Sequence, residues 1–337
     1  MPRGWKIAIA VLSVLLVWFV SGAIVRNGFF TTMHVCQHFR NPSLQNQTII
    51  VTGANSGIGL RTAQVLSKQG ANVIFACRSE KRGSAAARGY GTFMRLDLSD
   101  PSSIQSFYAK FERDRHRHPP LTMIVCNAGI FPLGGEREFV QWGEHQIEKT
   151  FAVNHLGHFH LVRMFTPILT ANRARVVVVS SGSYVSPVVL EDMRSERDIM
   201  QHIVIPDNKK VPFSALSTYG SSKRCNVLFA RELFERYGIP SCSIGPGALI
   251  TTGIARGNSL LHFLHHHVVG NFTMNADQGA ATTVYACLLP PELLVGQYIS
   301  KPFHPNHKDT NKGVHPRVNG DAALWSVSER LVRGAAQ

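Results

Sequence analysis

The stretch that most constrains this chain is a short apolar run, Thr48-Ile49-Ile50-Val51, followed at once by Thr52-Gly53-Ala54-Asn55-Ser56-Gly57-Ile58-Gly59. A helical pattern then runs through Leu60, Ala63, Val65 and Leu66 to Gly70, and a second strand pattern covers Asn72–Ala76, ended by Cys77-Arg78. Strand, glycine-rich turn, helix and strand in this order predict a βαβ unit that lays a dinucleotide pyrophosphate on a helix N-terminus. The glycines are required because a Cβ would block the tight turn and the approach of phosphates. Gly53, Asn55, Ser56, Gly57, Ile58 and Gly59 are therefore the expected cofactor-binding residues of the turn.

The same alternation continues. Helix Ser102–Phe111 precedes strand Thr122–Cys126, and helix Glu144–Leu169 precedes strand Arg175–Ser180. Helix Tyr219–Tyr237 precedes strand Cys242–Ile244, and helix Asp277–Leu288 precedes a last strand near Tyr298. Alternation of this kind predicts one α/β domain over residues 47–300, a Rossmann-type doubly wound parallel sheet with helices on both faces. Residues 301–337 form an extension whose final amphipathic helix runs from Asp321 through Val332.

Ile7–Val25 is an uncharged apolar run, preceded by Arg3 and Lys6 and followed by Arg26. It is long enough for a transmembrane helix, so residues 1–26 are expected to be an N-terminal membrane anchor. A cleaved signal peptide is the competitor, with Ser21-Gly22-Ala23 as the cleavage region, but the apolar run exceeds the usual length of such a peptide. Basic residues flank both ends almost equally, so the side of the membrane is not fixed. Residues 27–46, with Asn41-Pro42-Ser43, read as a linker.

A formal net charge of +14 points to an anionic partner: a phosphorylated cofactor, an acidic membrane surface or nucleic acid. The basic residues are scattered and not interleaved with aromatics, which argues against nucleic acid. Six widely spaced cysteines without a Cys-x-x-Cys pair imply reduced thiols, with no disulfide framework and no zinc site.

Chemistry enters with Tyr219-Gly220-Ser221-Ser222-Lys223. Positions four apart share a helix face, so the phenol and the ammonium reach one site. A nearby cation favours tyrosinate, which is expected to lower the Tyr219 pKa. Alone, the pair reads better as a helix surface that happens to carry a Tyr and a Lys. Its neighbours decide the matter, because ligands of parallel sheets bind beyond the carboxyl ends of the strands. Asn127-Ala128-Gly129, Ser180-Ser181, Pro246-Gly247 and the Gly53–Gly59 turn all fall there.

Taken together, Thr52-Gly53-x3-Gly57-x-Gly59, Asn127-Ala128-Gly129, Asn154, Ser181, Tyr219-x3-Lys223 and Pro246-Gly247 resemble the short-chain dehydrogenase/reductase family over residues 47–300. Phe151–Phe159 and Gln278–Tyr285 are similar to its retinol dehydrogenase group and to the dehydrogenase domain of WW-domain-containing oxidoreductases, with no WW segment in these 337 residues. The resemblance implies that Tyr219 is the general acid/base and that Lys223 holds the nicotinamide ribose. Ser181 would bond the substrate oxygen, with Ser180 and Ser183 as competitors, and Asn154 would position a relay water. Arg78, where NAD-selective sites carry an acid, implies NADP(H), although nearby Glu80 leaves NAD(H) open. Asp97 and Leu98 would flank the adenine, Asn127, Ala128, Gly129, Ile130, Pro246 and Gly247 would line the cofactor, and Thr251 would meet the carboxamide.

Three departures stand out. Ser79–Phe93 leaves little room for a helix, and Gly83, Gly89 and Gly91 weaken one. Gly245 replaces a larger polar residue, and residues 184–218 form a long charged excursion. Residues 254–276 fall where the family places its substrate lid. They are rich in Leu, Val and Phe, and their histidines His262, His265, His266 and His267 lack an accompanying carboxylate or Cys, so no metal is expected. The expectation is a membrane-anchored, NADP(H)-dependent oxidoreductase of the endoplasmic reticulum that interconverts a lipophilic alcohol and carbonyl, such as a retinoid, steroid or lipid aldehyde. The partners expected are that substrate and the bilayer, with a homodimer left open. A catalytically quiet nucleotide-binding sensor is the alternative.

Overall fold

The computed structural model describes residues 30–132, 137–185, 195–203, 214–247, 274–303 and 321–335. Seven strands form one parallel sheet in the order β3-β2-β1-β4-β7-β8-β9. These are β1 Thr48–Thr52, β2 Asn72–Cys77, β3 Gly91–Arg95, β4 Leu121–Cys126, β7 Arg175–Val179, β8 Ser241–Ile244 and β9 Val295–Ile299. The expected single Rossmann-like α/β domain is therefore present. The central strands β1, β2, β4 and β7 are near-continuous apolar runs because both faces are covered. Side chains of one parity, including Ile50, Ile74, Ile124, Val176 and Val178, point into one core cluster. Those of the other parity, including Ile49, Val51, Val73, Phe75, Val125 and Val177, point into the second.

The first face packs against α4 Pro101–Asp114, α5 Gly157–Ala171 and α7 Ala215–Tyr237 through Phe107, Phe111, Phe159, Phe165 and Phe229. The C-terminal helix α9, Asp321–Gly334, belongs to the same core: Leu324, Trp325, Val327 and Leu331 are buried, and the Trp325 ring meets Phe159 edge-on at 4.8 Å. A further short helix, α6 Glu196–Ile203, packs beside α9. The second face is covered by α2 Gly57–Lys68 and α8 Ala276–Leu288.

Four sequence expectations are corrected. The segment read as a linker contains helix α1, Thr32–His38, capped by the Thr31 hydroxyl and packed on α8 through buried Val35 and Cys36. Thr32 and Arg61 of α2 both bond Asp277 at the start of α8, so three elements meet on one carboxylate. The crowded interval after β2 does hold a helix, α3 Glu80–Ala87, capped by Ser79. Its Gly83 is a packing requirement, because a Cβ there would lie 2.3 Å from the Phe93 ring. Third, residues 144–148 are not helical: β5 Phe139–Trp142 and β6 His145–Glu148 form an antiparallel hairpin turned at Gly143, whose φ is +58°. The Glu148 carboxylate then caps the following helix by accepting from Thr150 and Phe151 N–H. Finally, Tyr219 does not open its helix, since α7 starts one turn earlier at Ala215 with Ser214 as its cap.

The apolar run Ile7–Val25 lies outside the described residues, as does most of the segment read as a lid. Among the described residues, no helix is long and apolar enough to cross a membrane.

A Cβ on Gly91 would sit 2.1 Å from the Val73 carbonyl oxygen, which is backbone held in the β2–β3 ladder. Gly91→Ala is therefore expected to cost about 2–4 kcal/mol, whereas Gly182→Ala, with open space around it, stays within about 0.5 kcal/mol. Urea unfolding of both variants checks the difference.

Candidate active site

The turn after β1 opens onto a cavity of about 900 Å³ at the carboxyl edge of the sheet. Gly53 and Gly57 hold φ of +66° and +57°, which bend the chain sharply into α2. Gly59 has no room for a side chain, because a Cβ would lie 2.2 Å from Asn127 Nδ2. At the start of α2, Ser56 makes no side-chain capping bond and no acidic residue occupies the first turn. The first N–H groups of a helix have no partner within it, and here they line the cavity. Asn55, Ser56, Gly57 and Ile58 thus form a positively polarised floor.

One rim is formed by the end of β2 and the start of α3, with Arg78, Ser79 and Arg82. Arg78 is largely exposed, with Nε 3.9 Å from Asp97 Oδ2. Asp97 also accepts from the N–H and hydroxyl of Ser99, at 3.0 and 2.6 Å. Leu98 lines the cavity beside Asp97, with Val153 as a second apolar side chain.

The middle of the site joins β1 to β4. Thr52 Oγ1 accepts from the N–H groups of Asn127 and Ala128 at 2.9 and 3.0 Å, and Asn127 Nδ2 donates to the Thr52 carbonyl at 2.9 Å. Asn154 lies behind this turn in a π-helical segment, Ala152–Leu156, an irregularity often found at functional sites. Its amide makes three hydrogen bonds: Oδ1 accepts from Ile130 N–H at 2.8 Å, and Nδ2 donates to the Ile130 carbonyl and to Ser222 Oγ, both at 3.0 Å.

Tyr219 and Lys223 project from α7 toward the same opening. Lys223 is 2% exposed, and its Nζ donates to the Val179 carbonyl at 3.0 Å and lies 5.6 Å from the Tyr219 ring centre. Ser181 hydrogen-bonds Tyr219 and accepts from the Ser183 backbone. Ser180 is turned away and donates to the Lys223 carbonyl at 2.6 Å, which holds α7 against β7. Burial pushes the Lys223 ammonium down to about 8. It pushes the Tyr219 phenol up to about 12, against the lowering influence of the Ser181 hydrogen bond. The expected lowering of the phenol is not found: burial raises it, and the opposing influence is the Ser181 hydrogen bond, not Lys223.

The residues selected from sequence converge. Gly53 through Gly59, Arg78, Asp97, Leu98, Asn127, Ala128, Gly129, Ile130, Ser181, Tyr219, Lys223, Pro246 and Gly247 all reach this cavity, apart from Ala54. Asn154 stands directly behind it, and Thr251 lies outside the described residues. Sequence reasoning missed Phe131, whose ring lies 5.1 Å from that of Tyr219, and Glu148 and Thr150 on the opposite wall. It also missed Thr52 and His158 as polar supports. Thr52 carried a signal in being the polar end of an apolar strand.

Residues 47–192 match the family model described as short chain dehydrogenase. The WW domain-containing oxidoreductase of Gallus gallus is 37% identical over 325 residues, covering 91% of this chain and 72% of that protein. Retinol dehydrogenase 12 of Mus musculus is 30% identical over 309 residues, covering 87% of this chain and 88% of its own. Among solved structures, an uncharacterized protein from Mycobacterium paratuberculosis superimposes with a TM-score of 0.60 at 26% identity, over 90% of this chain and 98% of its own.

Lys223 is a buried cation with no carboxylate partner among the described residues, and burial of its charge costs stability in the ligand-free protein. The folded pKa of about 8 lies below the ordinary value of 10.5, so between these values the unfolded chain binds more protons and stability rises with pH. Lys223→Met is therefore expected to be more stable than the parent at pH 7, by about 1–3 kcal/mol, with the gap closing from pH 8 to 10. Urea titrations of the ligand-free proteins across this range check the sign.

Proposed function

This chain belongs to the short chain dehydrogenase family, and from that premise we propose that it interconverts a hydrophobic alcohol and its carbonyl with NADP(H), Tyr219 moving the proton. One observation carries the reading: Tyr219, Ser181 and Lys223 converge on a cavity whose floor is the uncapped N-terminus of α2. The residues fit a nicotinamide dinucleotide. The free N–H groups of α2 suit a pyrophosphate. Lys223 gives one hydrogen bond to Val179 and has two further donors for ribose hydroxyls.

When bound, the nucleotide supplies or accepts the hydride at the substrate carbon. In reduction, the Tyr219 hydroxyl donates its proton to the substrate oxygen, and in oxidation it takes that proton back. Ser181 Oγ–H donates to the same oxygen and stabilises the charge that develops there. Burial keeps the Tyr219 hydroxyl protonated at neutral pH, the form that reduction consumes. Asn154 holds the Ile130 and Ser222 positions, so a relay water behind Lys223 would use the remaining acceptor capacity of its Oδ1. Arg78 just after β2 and Arg82 in α3 support NADP(H), since guanidinium groups suit a 2′-phosphate better than an unphosphorylated ribose.

Phe131 beside Tyr219 gives the substrate side an apolar wall, and the Leu- and Phe-rich 254–276 segment supports a lipophilic substrate. The Ile7–Val25 run supports a membrane-anchored enzyme that takes its substrate from the bilayer. Helix α3 fits a complete helix into the short Ser79–Phe93 interval, which supports the enzyme reading over a catalytically quiet binding protein.

The test is nucleotide oxidation by detergent-solubilised protein with retinal, steroid ketones and medium-chain aldehydes, using NADPH and NADH in parallel. Tyr219→Phe is expected to lower kcat by about 10²–10⁴-fold with NADPH affinity nearly unchanged. In the same assay Arg78→Ala is expected to raise the KM for NADPH by about 10-fold or more while leaving that for NADH alone. Equal loss for both nucleotides contradicts the cofactor assignment, and an active Tyr219→Phe contradicts the mechanism.

A further inference from the structure

His158 is fully buried on α5, one helical turn after Asn154, and no role follows for it from the reaction above. Its two ring nitrogens have different partners. Nδ1 lies 3.0 Å from the Asn154 carbonyl oxygen, and Nε2 lies 2.8 Å from Thr52 Oγ1. A carbonyl oxygen can only accept, so Nδ1 carries the proton and Nε2 the lone pair. Nε2, at 2.8 Å, is then the nearer acceptor for the Thr52 hydroxyl proton, ahead of the Val125 carbonyl oxygen at 3.3 Å. That fixes the direction of the hydroxyl and leaves its oxygen free to accept from the N–H groups of Asn127 and Ala128, as the distances of 2.9 and 3.0 Å require.

We infer that His158 is a positioning residue: one neutral imidazole, donating to the Asn154 carbonyl and accepting from Thr52, ties the π-helical turn that carries Asn154 to the nucleotide cradle. Asn154 is thereby held from two sides, its side chain by Ile130 and its main chain by His158. The cradle is held through the same ring, because Thr52 is the group on which the Asn127–Ala128 turn closes. The consequence reaches Lys223. A Cβ on Gly129 would lie 3.2 Å from Lys223 Nζ and 3.3 Å from Asn154 Oδ1, so a small shift of this turn changes the space around the cation. Burial and the neighbouring Lys223 charge push the imidazole down to about 4, which agrees with a neutral ring.

The inference rests on the proposed function only for its kinetic readout; the tautomer and the nucleotide affinity stand without it. The experiment uses the full chain in detergent, labelled with ¹⁵N-histidine. Long-range ¹H–¹⁵N spectra at pH 7, with the His158 signals assigned by their loss in His158→Asn, are expected to show the Nδ1–H tautomer. Binding of NADPH, followed by calorimetry, is then compared for Thr52→Ser, Thr52→Val, His158→Leu and the double variant Thr52→Val/His158→Leu. Thr52→Ser keeps the hydroxyl and is expected to bind as the parent does. Thr52→Val and His158→Leu are each expected to weaken binding by about tenfold, the scale of one buried hydrogen bond. The double variant should be scarcely worse than either single change, because both remove the same link. Where turnover is measurable, kcat falls along with affinity in both single variants. An Nε2–H tautomer, additive losses in the double variant, or parental affinity in Thr52→Val overturns the inference. If His158→Leu does not fold, the tautomer and the Thr52 pair still decide it. If the parent binds NADPH but turns over no carbonyl, the functional reading fails while this one is still tested.

Discussion

The carboxyl edge of the sheet is where backbone hydrogen bonding runs out, and this chain completes it with side chains. Thr52 closes the end of β1 on the end of β4 by accepting two N–H groups. Lys223 and Asn226 both donate to the Val179 carbonyl at the end of β7, and Ser180 donates to the Lys223 carbonyl. Buried backbone groups left unpaired here would be costly. The groups that satisfy them are the same ones that face the cavity, or stand directly behind it. Sheet completion and site construction are therefore one physical task.

That economy has a cost in stability. Lys223 is buried against a carbonyl, with no carboxylate beside it among the described residues, so desolvation of its charge opposes folding. Tyr219 is buried beside it and kept protonated. A structure selected for stability alone would place apolar side chains at both positions. The surrounding aromatic core, from Phe107 and Phe165 to Phe159 and Trp325, offsets the penalty and keeps the polar groups in fixed geometry. Helix α9 contributes to this core from late in the sequence, so it supports a site whose described lining includes none of its side chains.

Much of this was legible in the sequence, for identifiable reasons. Apolar β-strands buried on both faces give short, continuous runs bounded by turns, and β1, β2, β4 and β7 announced themselves in that way, whereas β3, Gly91-Thr92-Phe93-Met94-Arg95 and largely exposed, did not. The glycine turn and the Tyr219–Lys223 spacing were legible because backbone geometry demands them. The β5–β6 hairpin was not, since two four-residue strands are too short to show a period, and the Glu148 cap after them resembles any surface glutamate. Helix α3 was missed because Gly83 was weighed as a helix breaker, while its real constraint is the Phe93 ring packed against it. The direction of the Tyr219 shift was misjudged for a related reason: spacing reveals which charges are near, but burial depends on elements far away in the chain. His158 carried no signal of its own, because its two partners come from Asn154 and Thr52, a turn away on its helix and across the sheet.

The central claim is that Tyr219 and its neighbours support hydride transfer to a carbonyl. NADPH carrying deuterium at the transferable nicotinamide C4 position, incubated with the solubilised protein and retinal, tests it most directly by mass spectrometry of the alcohol formed. The account predicts one deuterium on the carbinol carbon of each product molecule, with product lost in Tyr219→Phe. Tight binding of the nucleotide with no label transferred to any carbonyl of the panel would contradict it.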